Sequence, residues 1–383
     1  MKKKRILFVT TRSPFSKIFS GDRQRAKTII NHLNKKNKLE IIYSDNFDEK
    51  GKTKIKSFFY KRRFIDKIKG ILSCLIEFRP LQLGYFYSDE IFKFLKFNHQ
   101  NYDTIIFHLI RSAQYLPKDF TGKRLLEMTD LISKNYNQII NSISIFNPLK
   151  YIYLFEKILV KRYENYCEDY FDKIVLASKN DIKNTNIKEA NKFIEIPNTT
   201  KKQKRIYSYK KSNCKVLFLG NLNYFPNKKA CKKFSKIIMP KLNKIYPNLE
   251  FHIIGEIKIL DKIFFNSLKK TYVHGPVKNI DSHIKNSICG VCNVDIATGT
   301  QMKILSYISY GLPCISSLQS FNNTFFKKGK EVLVYKNDND FVKLIIKLKE
   351  SKTFSNQISK ASYSGFLRKY DERRLLSTYD KII

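Results

Sequence analysis

Short apolar runs alternate along almost the whole chain with longer segments whose apolar residues recur at helical spacing, and this alternation starts twice. Buried strands separated by amphipathic helices pair in parallel, with the helices as crossovers, so the pattern dictates an α/β fold. Strands are expected over 5–10, 39–43, 102–107, 124–127, 173–177 and 193–196, where Pro197-Asn198 stops the last one. A second series follows over 215–219, 249–254, 271–274, 288–294 and 313–316, with a helix over 227–244. Lys4-Arg5-Ile-Leu-Phe-Val9 and Cys214-Lys215-Val-Leu-Phe-Leu219 open the two halves alike: a buried strand, a polar or glycine-containing turn, then a helix. At 383 residues the chain exceeds the usual size of one core. The sequence therefore predicts two Rossmann-like domains facing a cleft: one over 1–200, a polar linker over 201–213, and a second domain from 214.

Seventy-three Lys and Arg against 33 Asp and Glu give a formal charge of +40, which suits nucleic acid, anionic lipid or phosphorylated substrates. Translation of an AT-rich genome produces the same bias, because Lys, Asn, Ile, Phe and Tyr are enriched together. The basic residues come in short clusters with no long tail. No recognised nucleic-acid module and no sheet face of grouped basic and aromatic residues stands out, so no nucleic-acid partner is expected. Seven scattered cysteines fit a reducing compartment, and Cys289 with Cys292 reads as part of a buried strand. The apolar run Ile6 to Val9 is too short for an export signal, and no stretch is long enough to span a bilayer. The expectation is a cytoplasmic protein. Within 55–78, Ile55, Phe58, Phe59, Ile65, Ile68 and Leu72 recur at helical spacing with Lys61, Arg62, Arg63 and Lys67 interleaved. This is either a helix that attaches to an anionic membrane surface or a core helix with a solvated basic face.

In open parallel sheets, ligands sit beyond the carboxyl ends of strands, where helix N-termini offer free N–H groups to anions. Gly21, in Ser20-Gly-Asp22 after the first strand, would let backbone approach a ligand, and Asp22 is either a site residue or a helix cap. His108 ends a strand and Asp130 follows one; each is either a site residue or structural, Asp130 as a helix cap. His252, His274 and His283 carry no assigned role.

The segment from Val216 to Val334 resembles the donor-binding half of glycosyltransferase family 4, the glycosyl transferases group 1. Phe218-Leu-Gly-Asn-Leu-Asn-Tyr-Phe-Pro-Asn227, Phe251-His-Ile-Ile-Gly255 and Thr271-Tyr-Val-His-Gly-Pro-Val277 are similar to its successive strands and turns. Gly299-Thr-Gln-Met-Lys303-Ile-Leu, then Gly311-Leu-Pro-Cys-Ile-Ser-Ser317, is the most specific piece. In the first half Gly21-Asp-Arg-Gln-Arg25, Tyr102 to His108 with Arg111 and Tyr115, and Glu127-Met-Thr-Asp130 resemble the superfamily more loosely. The resemblance implies a GT-B architecture in which 1–200 serves the acceptor, 214–362 binds the nucleotide-sugar and 363–383 is a helix crossing back to the first domain. It implies donor contacts at Gly21, Gly220, Asn221, Gly299, Thr300, Lys303 and Ser306, and catalytic work at His108 and Asp130. No metal and no separate cofactor are expected, because Lys303 and backbone N–H groups would take the charge of the leaving diphosphate. The expected activity is retaining transfer of a sugar from a nucleotide-diphosphate sugar to a glycan or lipid-linked acceptor of cell-surface polysaccharide or lipopolysaccharide synthesis. One departure weakens this: where the family carries two glutamates eight positions apart, this chain has Thr298 and Ser306. The alternatives are a degenerate sugar-nucleotide binder without catalysis and a basic nucleic-acid-binding protein.

Overall fold

The structure, a computed structural model, describes residues 3–16, 20–46, 54–183, 189–277, 279–295, 297 and 301–383. It divides into two compact units, Met1–Pro197 with Leu376–Ile383, and Asn198–Leu375.

Unit 1 is built on seven strands: β1 (Arg5–Thr10), β2 (Lys38–Asp45), β3 (Lys56–Lys61), β4 (Thr104–His108), β5 (Lys123–Thr129), β6 (Lys173–Leu176) and β7 (Phe193–Glu195). They lie in the order β3-β2-β1-β4-β5-β6-β7, all pairings parallel. Apart from the exposed Arg5, every residue of β1 is buried, and so is every residue of β4, because helices cover both faces at the centre of such a sheet. Strand order reverses between β1 and β4, which makes their carboxyl ends the place for a ligand. Ile29, Ile30 and Leu33 of the helix Gly21–Leu33 bury one face with Leu376, Tyr379 and Ile382 of the C-terminal segment.

Unit 2 repeats the plan with β8 (Lys215–Leu219), β9 (Glu250–Ile254), β10 (Thr271–Gly275), β11 (Ser287–Cys292), β12 (Cys314–Ser316) and β13 (Leu333–Val334), in the order β10-β9-β8-β11-β12-β13. Here the reversal falls between β8 and β11. The segment expected as one helix over 227–244 is helical from Phe225 onward, with a widened π turn at Phe234–Ile238 ahead of Pro240, which has no N–H to give the ladder. Cys289 and Cys292 are buried in β11 and free.

Two expectations need correction. Residues 201–213 are not a free polar linker: Ile206 and Tyr207 donate their N–H groups to the Tyr310 carbonyl, Tyr207 is buried with its hydroxyl 2.6 Å from Ser355 Oγ, and Arg205 binds Ser359. Nor is 55–78 one helix. Phe58 and Phe59 belong to β3, which pairs with β2, and the helix is Phe64–Ile76.

Candidate functional site

At the reversal of the unit 1 sheet, Thr10 and His108 are register partners. Thr10 Oγ1 lies 3.3 Å from the Arg12 carbonyl, to which it donates, and 3.2 Å from His108 Nδ1. The single hydroxyl proton of Thr10 is thus used, so its oxygen accepts from Nδ1–H, and Nε2 of His108 is left as a bare lone pair. That Nε2 is buried and has no partner among the described residues. Burial pushes the His108 pKa down to about 4, keeping the ring neutral near pH 7.

Buried polar groups are ordinarily satisfied, so orphans mark places where water or a ligand completes the set. Several gather at the carboxyl ends of successive strands in this unit: Thr11 Oγ1, Ser44 Oγ, Arg62 Nε, His108 Nε2 and Asp130 Oδ1. Burial, reinforced by the nearby Asp181 charge, raises Asp130 to about 7, so it can offer a proton. The backbone is strained there too: Leu109, just after β4, and Thr129, at the end of β5, both have φ of 69°. Glu127 holds this strain in place, its carbonyl accepting from Leu109 N at 2.8 Å and its carboxylate from Thr129 Oγ1 at 3.0 Å. The same carboxylate takes Arg25 Nε at 2.8 Å and the Tyr379 hydroxyl, a buried lock tying helix Gly21–Leu33 and the C-terminal segment to β5.

Three guanidinium groups converge on one aromatic ring beside these strand ends. Arg111 lies 4.1 Å, Arg62 4.6 Å and Arg12 5.5 Å from the centre of Phe86. Arg12 pairs with Asp22 at 2.8 Å; burial would raise that carboxyl, but the Arg12 charge holds it well below the usual carboxylate range. Arg62 donates to the carbonyls of Thr11 and Ser44. Among the described residues Arg111 has no ion-pair or side-chain hydrogen-bond partner, and burial together with Arg12 lowers it to about 9. Asp22 pairs with Arg12, and Asp45, itself paired with Arg23, acts on Arg62, so the cluster is short of negative charge. Gly21 is the first residue of its helix and Ser20 stands at the cap position, so Asp22 serves as the partner of Arg12 and not as the cap. Arg111 and Arg25 stand in segments that resemble the superfamily and Arg62 in the basic segment 55–78, but no sequence signal points to Phe86, whose ring gathers residues from four separate stretches. A groove of about 730 Å³ in this unit is lined by Arg124, Phe171 and Tyr163 among others, and also by Gln114 and Tyr115, which donate to the carbonyls of Arg111 and Phe86.

In unit 2, the loops after β8 and β9 pack backbone to backbone. Gly255 has φ of 146°, and a Cβ there would fall 2.0 Å from the Gly220 carbonyl oxygen, so glycine is required. Asn221 shapes the loop, its side chain accepting from Asn223 N at 2.8 Å and its carbonyl from Asn227 Nδ2 at 2.8 Å. Lys303, in the first turn of the helix Met302–Ser309, donates to Asn227 Oδ1 at 2.6 Å and sits 4.1 Å above the Phe218 ring. It is only 8% exposed, and among the described residues no carboxylate pairs with it. Burial lowers its pKa. Lys303 thus lies beneath the Gly220–Tyr224 loop as an uncompensated cation and, through Asn227, positions Asn221. Thr298, Gly299 and Thr300 lie outside the described residues.

Ser306 spends its proton on its own helix, donating to the Met302 carbonyl at 2.9 Å. Tyr307 is fully buried on another face, its hydroxyl 2.7 Å from Leu219 N and its ring where a Cβ on Gly290 would lie, and the Tyr310 carbonyl receives residues 206 and 207. Glu331 is buried and committed to Lys369 at 2.6 Å and Arg368 at 3.3 Å, a structural knot.

Residues 213–351, most of unit 2, match the family model described as Glycosyl transferases group 1. A curated relative described as an uncharacterized 44.6 kDa protein in the cps region of Klebsiella pneumoniae is 21% identical over 363 residues, covering 90% of each chain. Among solved structures, Anabaena Alr3699/HepE in complex with UDP and glucose superposes with a TM-score of 0.70 at 11% identity, covering 99% of this chain and 98% of that one. Sucrose-phosphate synthase from Thermosynechococcus elongatus superposes with a TM-score of 0.73 at 10% identity, with 99% and 98% covered. The fold is that of the GT-B glycosyltransferases, with two α/β units each built on a parallel sheet, and the family resemblance read from residues 216–334 stands.

Proposed function

We propose that this protein is a glycosyltransferase that takes a sugar from a nucleotide-diphosphate sugar held by unit 2 and adds it, with retention, to a precursor of a cell-surface polysaccharide or lipopolysaccharide. The observation that carries the reading is Lys303, a buried cation with no carboxylate partner among the described residues, set under the loop that follows β8. A diphosphate leaving group gains negative charge as the glycosidic bond breaks, and a cation fixed in a dry site lowers that barrier without reorganising. This role needs no divalent metal. The UDP bound by the Anabaena protein and the cps setting of the Klebsiella relative support the donor class and the type of product.

Unit 1 would receive the acceptor at the ends of β1, β4 and β5. His108 Nε2 accepts a hydrogen bond from a sugar hydroxyl, and Asp130, protonated about half the time near neutrality, donates one. The hydroxyl proton finally goes to the departing phosphate oxygen, which front-face transfer with retention leaves on the same side of the sugar as the incoming hydroxyl. The arginines around Phe86 suit an acceptor bearing an anionic group, phosphate or carboxylate. A second reading, a non-catalytic sugar-nucleotide binder, is favoured by Ser306, whose neutral hydroxyl replaces a charge-assisted contact to ribose.

Calorimetric titration with UDP, GDP and ADP tests the donor site. One of the three is expected to bind, and Lys303→Met to weaken it roughly tenfold to hundredfold, the scale of a lost hydrogen bond to a charged group. The same substitution removes an unpaired buried charge, so the melting temperature should stay level or rise. Failure of all three nucleotides to bind removes the donor site. Unchanged affinity in Lys303→Met reduces Lys303 to a packing residue.

A further inference from the structure

Among the described residues there is one group of three side chains able to share a metal ion: His252 in β9, His274 in β10 and His283 in the helix Asp281–Lys285, with ligand nitrogens all within 4.8 Å of one another. His252 Nε2 lies 2.8 Å from Glu250 Oε2. An ionised carboxylate only accepts, so Nε2 carries the proton and Nδ1 of His252 is the lone pair. That Nδ1 lies 2.8 Å from His274 Nε2, and the His274 and His283 rings are 4.6 Å apart. His283 Nδ1 is buried with no partner among the described residues. His252 is buried while His274 is exposed, which gives the cluster an opening to solvent.

We propose that these three histidines form a binding site for a divalent cation of the zinc class, joining the edge strand β10 and its neighbour β9 to the helix Asp281–Lys285. Three imidazoles with a carboxylate fixing one of them in its ligating tautomer reproduce the outer hydrogen bond common to histidine metal sites. Imidazole donors select Zn²⁺, Co²⁺, Ni²⁺ or Cu²⁺ over Mg²⁺ or Ca²⁺. Tetrahedral binding at about 2.0–2.1 Å places the nitrogens about 3.3 Å apart, so His252 and His274 part slightly and His283 moves in. The proton now between His252 and His274 moves through solvent to His274 Nδ1, and the ring stays neutral. A fourth position stays open to water. Glu250 favours the cation and the nearby Lys215 opposes it, so the affinity should fall below that of a cysteine-rich structural site. The helix carrying His283 has five residues, too few to hold itself, and a shared ion would pin it to the sheet edge.

The test uses the full chain without a histidine tag, stripped with EDTA and titrated with Co²⁺ and then Zn²⁺. The expected result is one Co²⁺ per chain with a visible tetrahedral absorption band that Zn²⁺ abolishes. The melting temperature should rise by about 5 °C or more at a hundredfold excess of Zn²⁺ over its dissociation constant. His274→Ala, at an exposed position that leaves the core intact, should weaken binding at least tenfold, as should His283→Gln. Absence of the band and of the melting shift in the wild-type chain would overturn the site. Equal affinity and stoichiometry in both variants would overturn it as well, and would place the metal on other groups such as the partly exposed Cys214.

Discussion

His108 shows how a strand end makes a reactive group out of an ordinary one. With its pKa moved from 6.5 to about 4 by burial, it stays neutral in the folded protein where the unfolded chain has already charged it. Between pH 6.5 and pH 4 the unfolded state therefore binds more protons, and stability falls as the pH drops through that window, then levels off below it. The loss is at most about 3.5 kcal/mol, from roughly 1.4 kcal/mol per pKa unit. His108→Gln should remove this part of the acid sensitivity: its melting temperature, followed from pH 7 to pH 4, should fall less than that of the wild type. Parallel curves would mean that the ring is not held neutral. Ser306 and Glu331 illustrate the opposite case, polar residues near the donor segment whose hydrogen bonds are spent internally. Sequence reasoning saw the glutamate position filled by serine but could not see where the serine hydroxyl points.

At the scale of elements, the helix Phe64–Ile76 reverses the usual rule. It buries Asp66, Gly70 and Cys74 and exposes its apolar residues, Phe64 at 74% and Ile76 at 78%, with Ile65, Leu72 and Leu75 also exposed. Lys67 and Lys69 stand on the same helix. A contiguous apolar face flanked by cations suits an anionic bilayer surface, and no helix among the described residues is long and apolar enough to cross one. In liposome flotation the chain should rise with anionic vesicles more than with neutral ones, and Leu72→Asp with Leu75→Asp should abolish this. Equal recovery with both vesicle types would count against attachment. Most strands were legible because their apolar runs are short and bounded; β1 and β8 coincide with their expected limits. β3 was missed because Lys56, Phe58 and Lys61 mix charge and aromatics on a half-buried edge, a pattern that also fits a helix. The arginine group on Phe86 was illegible for a different reason: only the sheet order brings residues 12, 62, 86 and 111 together.

On the scale of the whole molecule, the candidate groups are distributed over both units. Unit 2 carries the matched family segment and the buried Lys303; unit 1 carries the neutral His108, the raised Asp130, the arginines and the exposed helix. The formal charge of +40 adds a long-range attraction for anionic ligands and surfaces that salt should screen. Sugar transfer itself is tested most directly by incubating the full chain with a panel of UDP-, GDP- and ADP-sugars and measuring the free nucleoside diphosphate released over time. Release is expected from the sugars of one nucleotide above the protein-free rate, reduced at least tenfold by Lys303→Met and by His108→Ala. Tight binding of a nucleotide-sugar with no release, with or without added membrane glycolipid extract, would contradict it and leave the chain a sugar-nucleotide binder.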